Sequence, residues 1–345
     1  MARLVVRAPL AWLGPGRTVP DVQVSCEGGV IVRVGRVHPV AESDELIEVD
    51  GFLMPAGADR HVHVGLGDAG AIVRRGVTAV RDLAWPAERI FPLADASEMP
   101  GCRGPYIAAA GPMPTAPGGY PTQESWSPLG TGLEVPDPAS VKAIVAGLAS
   151  KGAAAIKVSL NSDAGPTPSD AVLSAICEEA ADAGLPVTAH AQGVGQGARA
   201  MGAGVTERAH TPWSERLDDS TLAAAAARMR WISTLDIHGF GRDTPELRCA
   251  LDNLARFHRA GGDVAYGTDL GNGPIPSGVH VTELRWLRQA GLTTEQVLEA
   301  FVRAPIEVGA PADLLVVGDS PLGDVAALGD IRLVVRAGEP VVPLS

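Results

Sequence analysis

The chain has 345 residues, 46% of them hydrophobic, which is enough for one large domain with a small companion and a sizeable core. A formal charge of −12 with no Lys/Arg-rich block excludes a nucleic-acid or anionic-membrane surface and favours a small-molecule partner. No apolar run approaches the roughly 20 residues of a membrane span, and Pro9 and Gly14 break the N-terminal one, so a cytoplasmic protein is expected.

Residues 1 to 50 carry short alternating runs, "DVQVSCEGGVIVRVGRV" and "ELIEVDG", with a Gly28-Gly29 turn and no helical period. From residue 51 the texture changes to apolar strands separated by helical stretches. The strand runs, in order, are "FLMPAGADRHVHV", "GVTAVRDL", "YIAAAG", "AAAIKVSL", "LPVTAHA", "GVTERAH", "RWISTLD" and "GDVAYGTD". The intervening helices show clear stops, Gly184 after "SDAVLSAICEEAADA" and Gly261 after "TPELRCALDNLARFHRA". Eight strand-and-helix units over residues 51–310 predict an α/β fold, a (β/α)8 TIM barrel with its active site at the C-terminal strand ends. After residue 311 the β texture returns in "ADLLVVGD" and "IRLVVRAGEPVV". Residues 1–50 and 311–345 are therefore expected to form one small β-sandwich domain beside the barrel. The four cysteines lie far apart without C-x-x-C spacing, which predicts buried thiols and neither a disulfide framework nor a zinc knuckle.

His61 and His63 flank Val62 in a predicted strand and face the same way. Alone, the pair is either a half-built metal site or two polar groups at a strand end. His190 and His210 end the fifth and sixth predicted strands, Asp269 ends the eighth, and Lys157 sits inside the apolar fourth. Singly, each has an ordinary reading, a capped turn for Asp269 or a snorkelling stem for Lys157. Together, six polar groups on one rim would be costly to bury unless metal ions satisfied them.

At these residues the chain resembles the amidohydrolase superfamily, in particular its prolidase-like and imidazolonepropionase-like metal-dependent hydrolases. "DRHVHV" corresponds to the family's H-x-H strand and "IKV" to the lysine that many members carboxylate. "GLPVTAHAQG", "GVTERAH" and "YGTDLG" match its later histidines and final aspartate, and "PADLLVVGDSPLGDV" its return strand. The resemblance covers most of residues 50 to 345. Two segments depart from it by being short, the loop after His63 and the stretch before "PADLLVV".

The resemblance implies two divalent metal ions, zinc first among the candidates. His61 and His63 would hold one with Asp269, His190 and His210 the other, and carboxylated Lys157 would bridge them. Asp269, Lys157 and His210 are the implied catalytic residues. The implied reaction is hydrolysis of a C–N bond in an amide, peptide or lactam by a metal-bound hydroxide, with Asp269 as proton shuttle. The alternatives are a mononuclear deaminase or imidazolone-type hydrolase of the same superfamily, in which Lys157 is structural, and a catalytically idle binding subunit. Candidate substrate contacts lie in rim loops: Tyr120, His238, Arg242 and His280. The guanidinium fork of Arg242 suits a substrate carboxylate, the alternative being a surface pair with Asp243 or Glu246. The subunit count stays open, a homo-oligomer included.

Overall fold

The computed structural model describes residues 3–342; residues 1–2 and 343–345 of the expected terminal domain lie outside this range. Strands β1 (Leu4–Trp12), β2 (Thr18–Glu27), β3 (Val30–Arg36), β4 (Glu45–Glu48) and β5 (Phe52–Pro55) come first. Next are β6 (Gly57–Val62), β7 (Val77–Asp82), β8 (Tyr106–Ala109), β9 (Met113–Thr115) and β10 (Gly132–Glu134). They are followed by β11 (Ile156–Asn161), β12 (Val187–Gln192), β13 (Glu207–Arg208), β14 (Arg230–Ile232) and β15 (Asp263–Ala265). Three strands close the chain, β16 (Leu314–Val317), β17 (Ile331–Arg336) and β18 (Glu339–Val342).

The eight runs read from the sequence all yield parallel strands, in two sheets: β6-β7-β8 and β11-β12-β13-β14-β15. Backbone bonds connect the two sheets. Arg60 N–H donates to Tyr266 O (3.1 Å), Asp269 N–H to His61 O (2.8 Å) and His63 N–H to Leu270 O (2.8 Å), while Ala154 N–H donates to Ala109 O (2.8 Å). Helices follow the strands and start where the sequence signals them. Thr244 caps the helix Pro245–Arg259 through Leu247 N–H, with proline at the first helical position. Gly184 and Gly261 take positive φ (70° and 86°) just past their helices, a backbone shape that side chains disfavour.

The first predicted strand run is two strands. Pro55 has no N–H for a ladder, and Ala56 N–H donates to Asp313 O (3.0 Å) before the chain turns into β6. β5 pairs with β16 and β1, whereas β6 pairs with β7. At the break, a Cβ on Gly57 would lie 2.1 Å from the Phe301 ring, so only glycine fits.

The chain ends do associate, but the two packed sheets of a sandwich are not shown. Hydrogen bonds join all eight strands in one sheet of order β18-β17-β16-β5-β1-β2-β3, with β4 also beside β1. The pairing explains this: β1 is long enough for Leu4–Arg7 to pair with β4 and Leu10–Ala11 with β5, and β5 in turn pairs with β16, joining the two ends of the chain. This sheet has its own apolar cluster, including Val6, Val24, Leu53, Val316 and Leu333.

Inside the parallel sheets the alternation is apolar outward and polar inward. Ile156, Val158 and Leu160 join the main hydrophobic cluster, while Lys157, Ser159 and Asn161 stand in register with Thr188, His190 and Gln192. A partly buried ion pair marks the lower end of this polar face. Arg81 donates twice to Glu207 (2.7 and 3.0 Å), which also accepts from Thr188 Oγ1 (2.7 Å). Among the described residues no helix is long and apolar enough to cross a membrane. The cysteine expectation holds for Cys26 and Cys177, which are buried; Cys102 and Cys249 are partly exposed, and all four are free thiols.

Candidate active site

His61, His63, His210 and Asp269 stand at or just past the ends of β6, β13 and β15, while Lys157 and His190 project from within β11 and β12. Asp59, two residues before His61, is buried and accepts from His61 N–H (3.0 Å), Thr268 N–H (3.0 Å) and Thr268 Oγ1–H (2.5 Å). It therefore ties the two strand ends that carry His61 and Asp269. Asp82 at the end of β7 does the same for His63, accepting from Val64 N–H (2.8 Å) and Ala84 N–H (3.3 Å). Asp269 adopts φ +60°, a left-handed conformation uncommon for a non-glycine residue.

His61 Nε2 and His63 Nε2 lie 3.1 and 3.3 Å from the same oxygen, Asp269 Oδ1. That oxygen is buried and accepts no well-formed hydrogen bond. His61 Nδ1 is 2.8 Å from Ala209 O and must carry the proton to bond there, which leaves Nε2 as a bare lone pair. Electron pairs converging on one another in a dry site need a cation between them. The potential ligand atoms of His61, His63 and Asp269 all lie within 4.8 Å of one another. A second cluster adjoins. His190 Nδ1 is 3.0 Å from His210 Nε2, and His210 Nδ1 is 2.9 Å from Thr234 Oγ1, so this pair also turns ring nitrogens toward one point. The rings of His61 and His210 are 4.5 Å apart, which places the clusters side by side.

The electrostatics suit neutral ligands. Burial, reinforced by Lys157, pushes His190 down to about 3 and His61 well below the ordinary histidine range; burial also lowers His210. His63 moves the other way: burial would lower it, but the facing Asp269 carboxylate raises it, a proton standing where a metal ion would. Burial pushes the Lys157 amine down to about 7 against the opposing pull of Asp269 and Glu207.

All six predicted ligand-type residues, His61, His63, Lys157, His190, His210 and Asp269, line one cavity of about 200 Å³. Tyr120 and His238 line it too. Arg242 and His280 do not. Arg242 is exposed and its Nε donates to Gly239 O (3.3 Å) in its own turn, while Asp243 pairs with Arg248 instead. His280 is buried with Nε2 2.7 Å from Asp236 Oδ2. Asp236 also accepts from Gly241 N–H and Trp286 Nε1–H, so His280 braces the turn that carries His238 rather than facing the cavity. Trp213, Asn161 and Asn272 are wall residues that sequence reading did not nominate. Asn161 had a signal, since it shares the inward face with Lys157 four residues earlier; Trp213 had none.

Residues 52–341 match the amidohydrolase family. The chain belongs to that family. It is accordingly an enzyme. Structurally, this amidohydrolase is similar to a Xaa-Pro dipeptidase with bound methionine (TM-score 0.82, 19% identity, 98% of this chain and 99% of that one). It is also similar to a putative prolidase from Bifidobacterium longum (0.83, 23%, 98% and 94%) and to A. niger ochratoxinase (0.81, 18%, 99% and 96%). At these identities the likenesses establish the fold. No protein of curated function matches the sequence.

Proposed function

We propose that this amidohydrolase cleaves a C–N bond of a small molecule with the help of two divalent metal ions, zinc first among them. The observation that carries the reading is the buried, unpartnered Asp269 Oδ1 facing two imidazole nitrogens at 3.1 and 3.3 Å. His61 and His63 would hold one ion with Asp269, and His190 and His210 the other. When bound, the ions would acidify water and polarise a carbonyl.

The chain's own groups do the rest. Asp269 takes the proton of the attacking water and delivers it to the leaving nitrogen, the two halves of amide hydrolysis. With its amine lowered to about 7, Lys157 is substantially unprotonated at neutral pH and can add to carbon dioxide. The N–C bond forms as one C=O π bond of carbon dioxide opens, a proton leaves the nitrogen for solvent, and the carbamate's two oxygens, sharing one negative charge, would hold the metal ions. Tyr120 and His238 contact substrate from the walls. The two parallel sheets are read as the halves of a (β/α)8 barrel over residues 51–310, supported by the backbone bonds between them. The chain-end strands form the companion domain.

The test is metal content and intact mass measured together. Two metal ions per chain and a mass increment of one carbon dioxide, lost in Lys157→Ala, are the expected results. A mononuclear hydrolase is the second reading, because the 3.0 Å His190–His210 contact can be closed by a proton as well as by an ion. One ion per chain and an unmodified Lys157 would establish it.

A further inference from the structure

The metal-facing cavity is one of two adjoining lobes. The second, of about 340 Å³, shares His63, Tyr120, Asp269 and Asn272 with the first. Its outer wall is made by Leu66, Glu124 and Trp126. Lys157 is the sole Lys or Arg lining either lobe among the described residues, and it is proposed to become an anionic carbamate.

Two amide donors of the first lobe, those of Asn161 and Gln192, are already engaged. Asn161 Nδ2–H donates to Gln192 Oε1 (3.2 Å), and Gln192 Nε2–H donates outward to Asp163 Oδ2 (3.2 Å). A substrate carboxylate would find no cationic side chain there, and Arg242, the one candidate, lies outside.

The second lobe has the opposite character. Among the described residues the Glu124 carboxylate takes part in no ion pair, yet it lines the cavity beside two aromatic rings. Trp126 lies 6.1 Å from the Tyr120 ring and 5.1 Å from that of His63, centroid to centroid. A carboxylate lining one lobe together with Tyr and Trp rings is the chemistry that holds an ammonium: a counter-ion and aromatic quadrupoles, with one side of the Tyr120 ring already stacked on His190 (5.0 Å).

We propose that the cavity selects an amide carrying a protonated amine and no carboxylate, with Glu124 as the counter-ion and Tyr120 and Trp126 as the aromatic walls of the ammonium site. This rests on the C–N hydrolase reading and names its substrate class. Glu124 is a specificity residue and takes no part in bond cleavage.

Four substrates test it on the metal-loaded enzyme. Leucine anilide carries the amine on the acyl side and N-acetyl-1,4-diaminobutane on the leaving side; N-acetyl-leucine anilide has no amine, and the dipeptide Leu-Pro keeps the acyl-side amine and adds a carboxylate. At least one of the first two should exceed both others in kcat/KM by about tenfold, the worth of a charge-assisted hydrogen bond. Glu124→Gln should raise KM for that substrate about tenfold more than for the neutral analogue. Cleavage of Leu-Pro or the neutral anilide as fast as the amines, or an equal effect of Glu124→Gln on all, overturns the proposal and leaves the hydrolase reading standing. Calorimetry with leucine hydroxamate and its N-acetyl derivative gives an answer without turnover. Tighter, Glu124-dependent binding of the free amine supports the ammonium site even if no amide in the panel is cleaved, which would refute the hydrolase reading alone; equal affinity overturns the site.

Discussion

Asp269→Asn separates proton transfer from architecture at this site. Asparagine matches aspartate in size and tolerates the left-handed φ of +60° at least as well, so the backbone stays in place. The bond from Asn272 Nδ2–H to Asp269 Oδ2, 2.9 Å, can be kept if the amide oxygen takes that position. What is lost is a group able to take up and release a proton. General acid–base catalysis contributes about 10²- to 10⁴-fold, or about 3 to 5 kcal/mol of transition-state stabilisation at 1.36 kcal/mol per decade. The expected outcome is a fall in kcat of that size, KM changed far less, and the melting temperature of the metal-free protein nearly unchanged. Metal content must be measured on the same sample, because the variant also withdraws one negative charge from the site. A variant that keeps its metal and its kcat would refute the assignment of proton transfer to Asp269.

Three other perturbations probe the scaffold. His280→Phe removes the 2.7 Å partner of Asp236 and leaves that carboxylate short of a hydrogen bond, so a loss of about 1 to 3 kcal/mol in urea unfolding and a raised KM at unchanged metal content are expected; unchanged KM would show that the turn carrying His238 needs no brace. Glu283 is fully buried and accepts from Leu235 and Asp236 N–H (2.8 Å each), and burial pushes it up to about 7 from 4.5. A carboxyl raised on folding holds its proton more tightly in the native state, so stability falls as pH rises from about 4.5 through 7, by a total of order 3 kcal/mol. Glu283→Gln should flatten that slope in denaturation at pH 5.5 and pH 8, and an unaltered slope would place the titration elsewhere. Gly57→Ala sets a methyl 2.1 Å from the Phe301 ring and should cost about 1 to 3 kcal/mol, partly recovered in combination with Phe301→Leu; thermal melts of the three proteins decide it.

Much of the site was legible from the chain alone because strand geometry is periodic. His61 and His63 had to face one way, Lys157 was anomalous in an apolar strand, and the strand-end positions of His190, His210 and Asp269 put them on one rim. The eight strand runs were legible for the same reason, since apolar runs of strand length bounded by turn residues carry their own signal. What local pattern cannot encode is which partner a segment meets. Phe52–Pro55 reads as the start of the H-x-H strand, yet its backbone donors and acceptors are claimed by β16 and β1, strands far away in sequence. The single terminal sheet follows from β1 holding β4 and β5 end to end and from β5 pairing with β16 on its other edge, a fact of pairing and not of composition. Rim loops were the least legible. Arg242 and His280 have side chains that suit substrate, and Trp213, Trp126 and Glu124 gave no reason to be chosen. Loops have no period, so whether a side chain reaches the cavity depends on bonds such as His280 to Asp236 that form only when distant segments have packed.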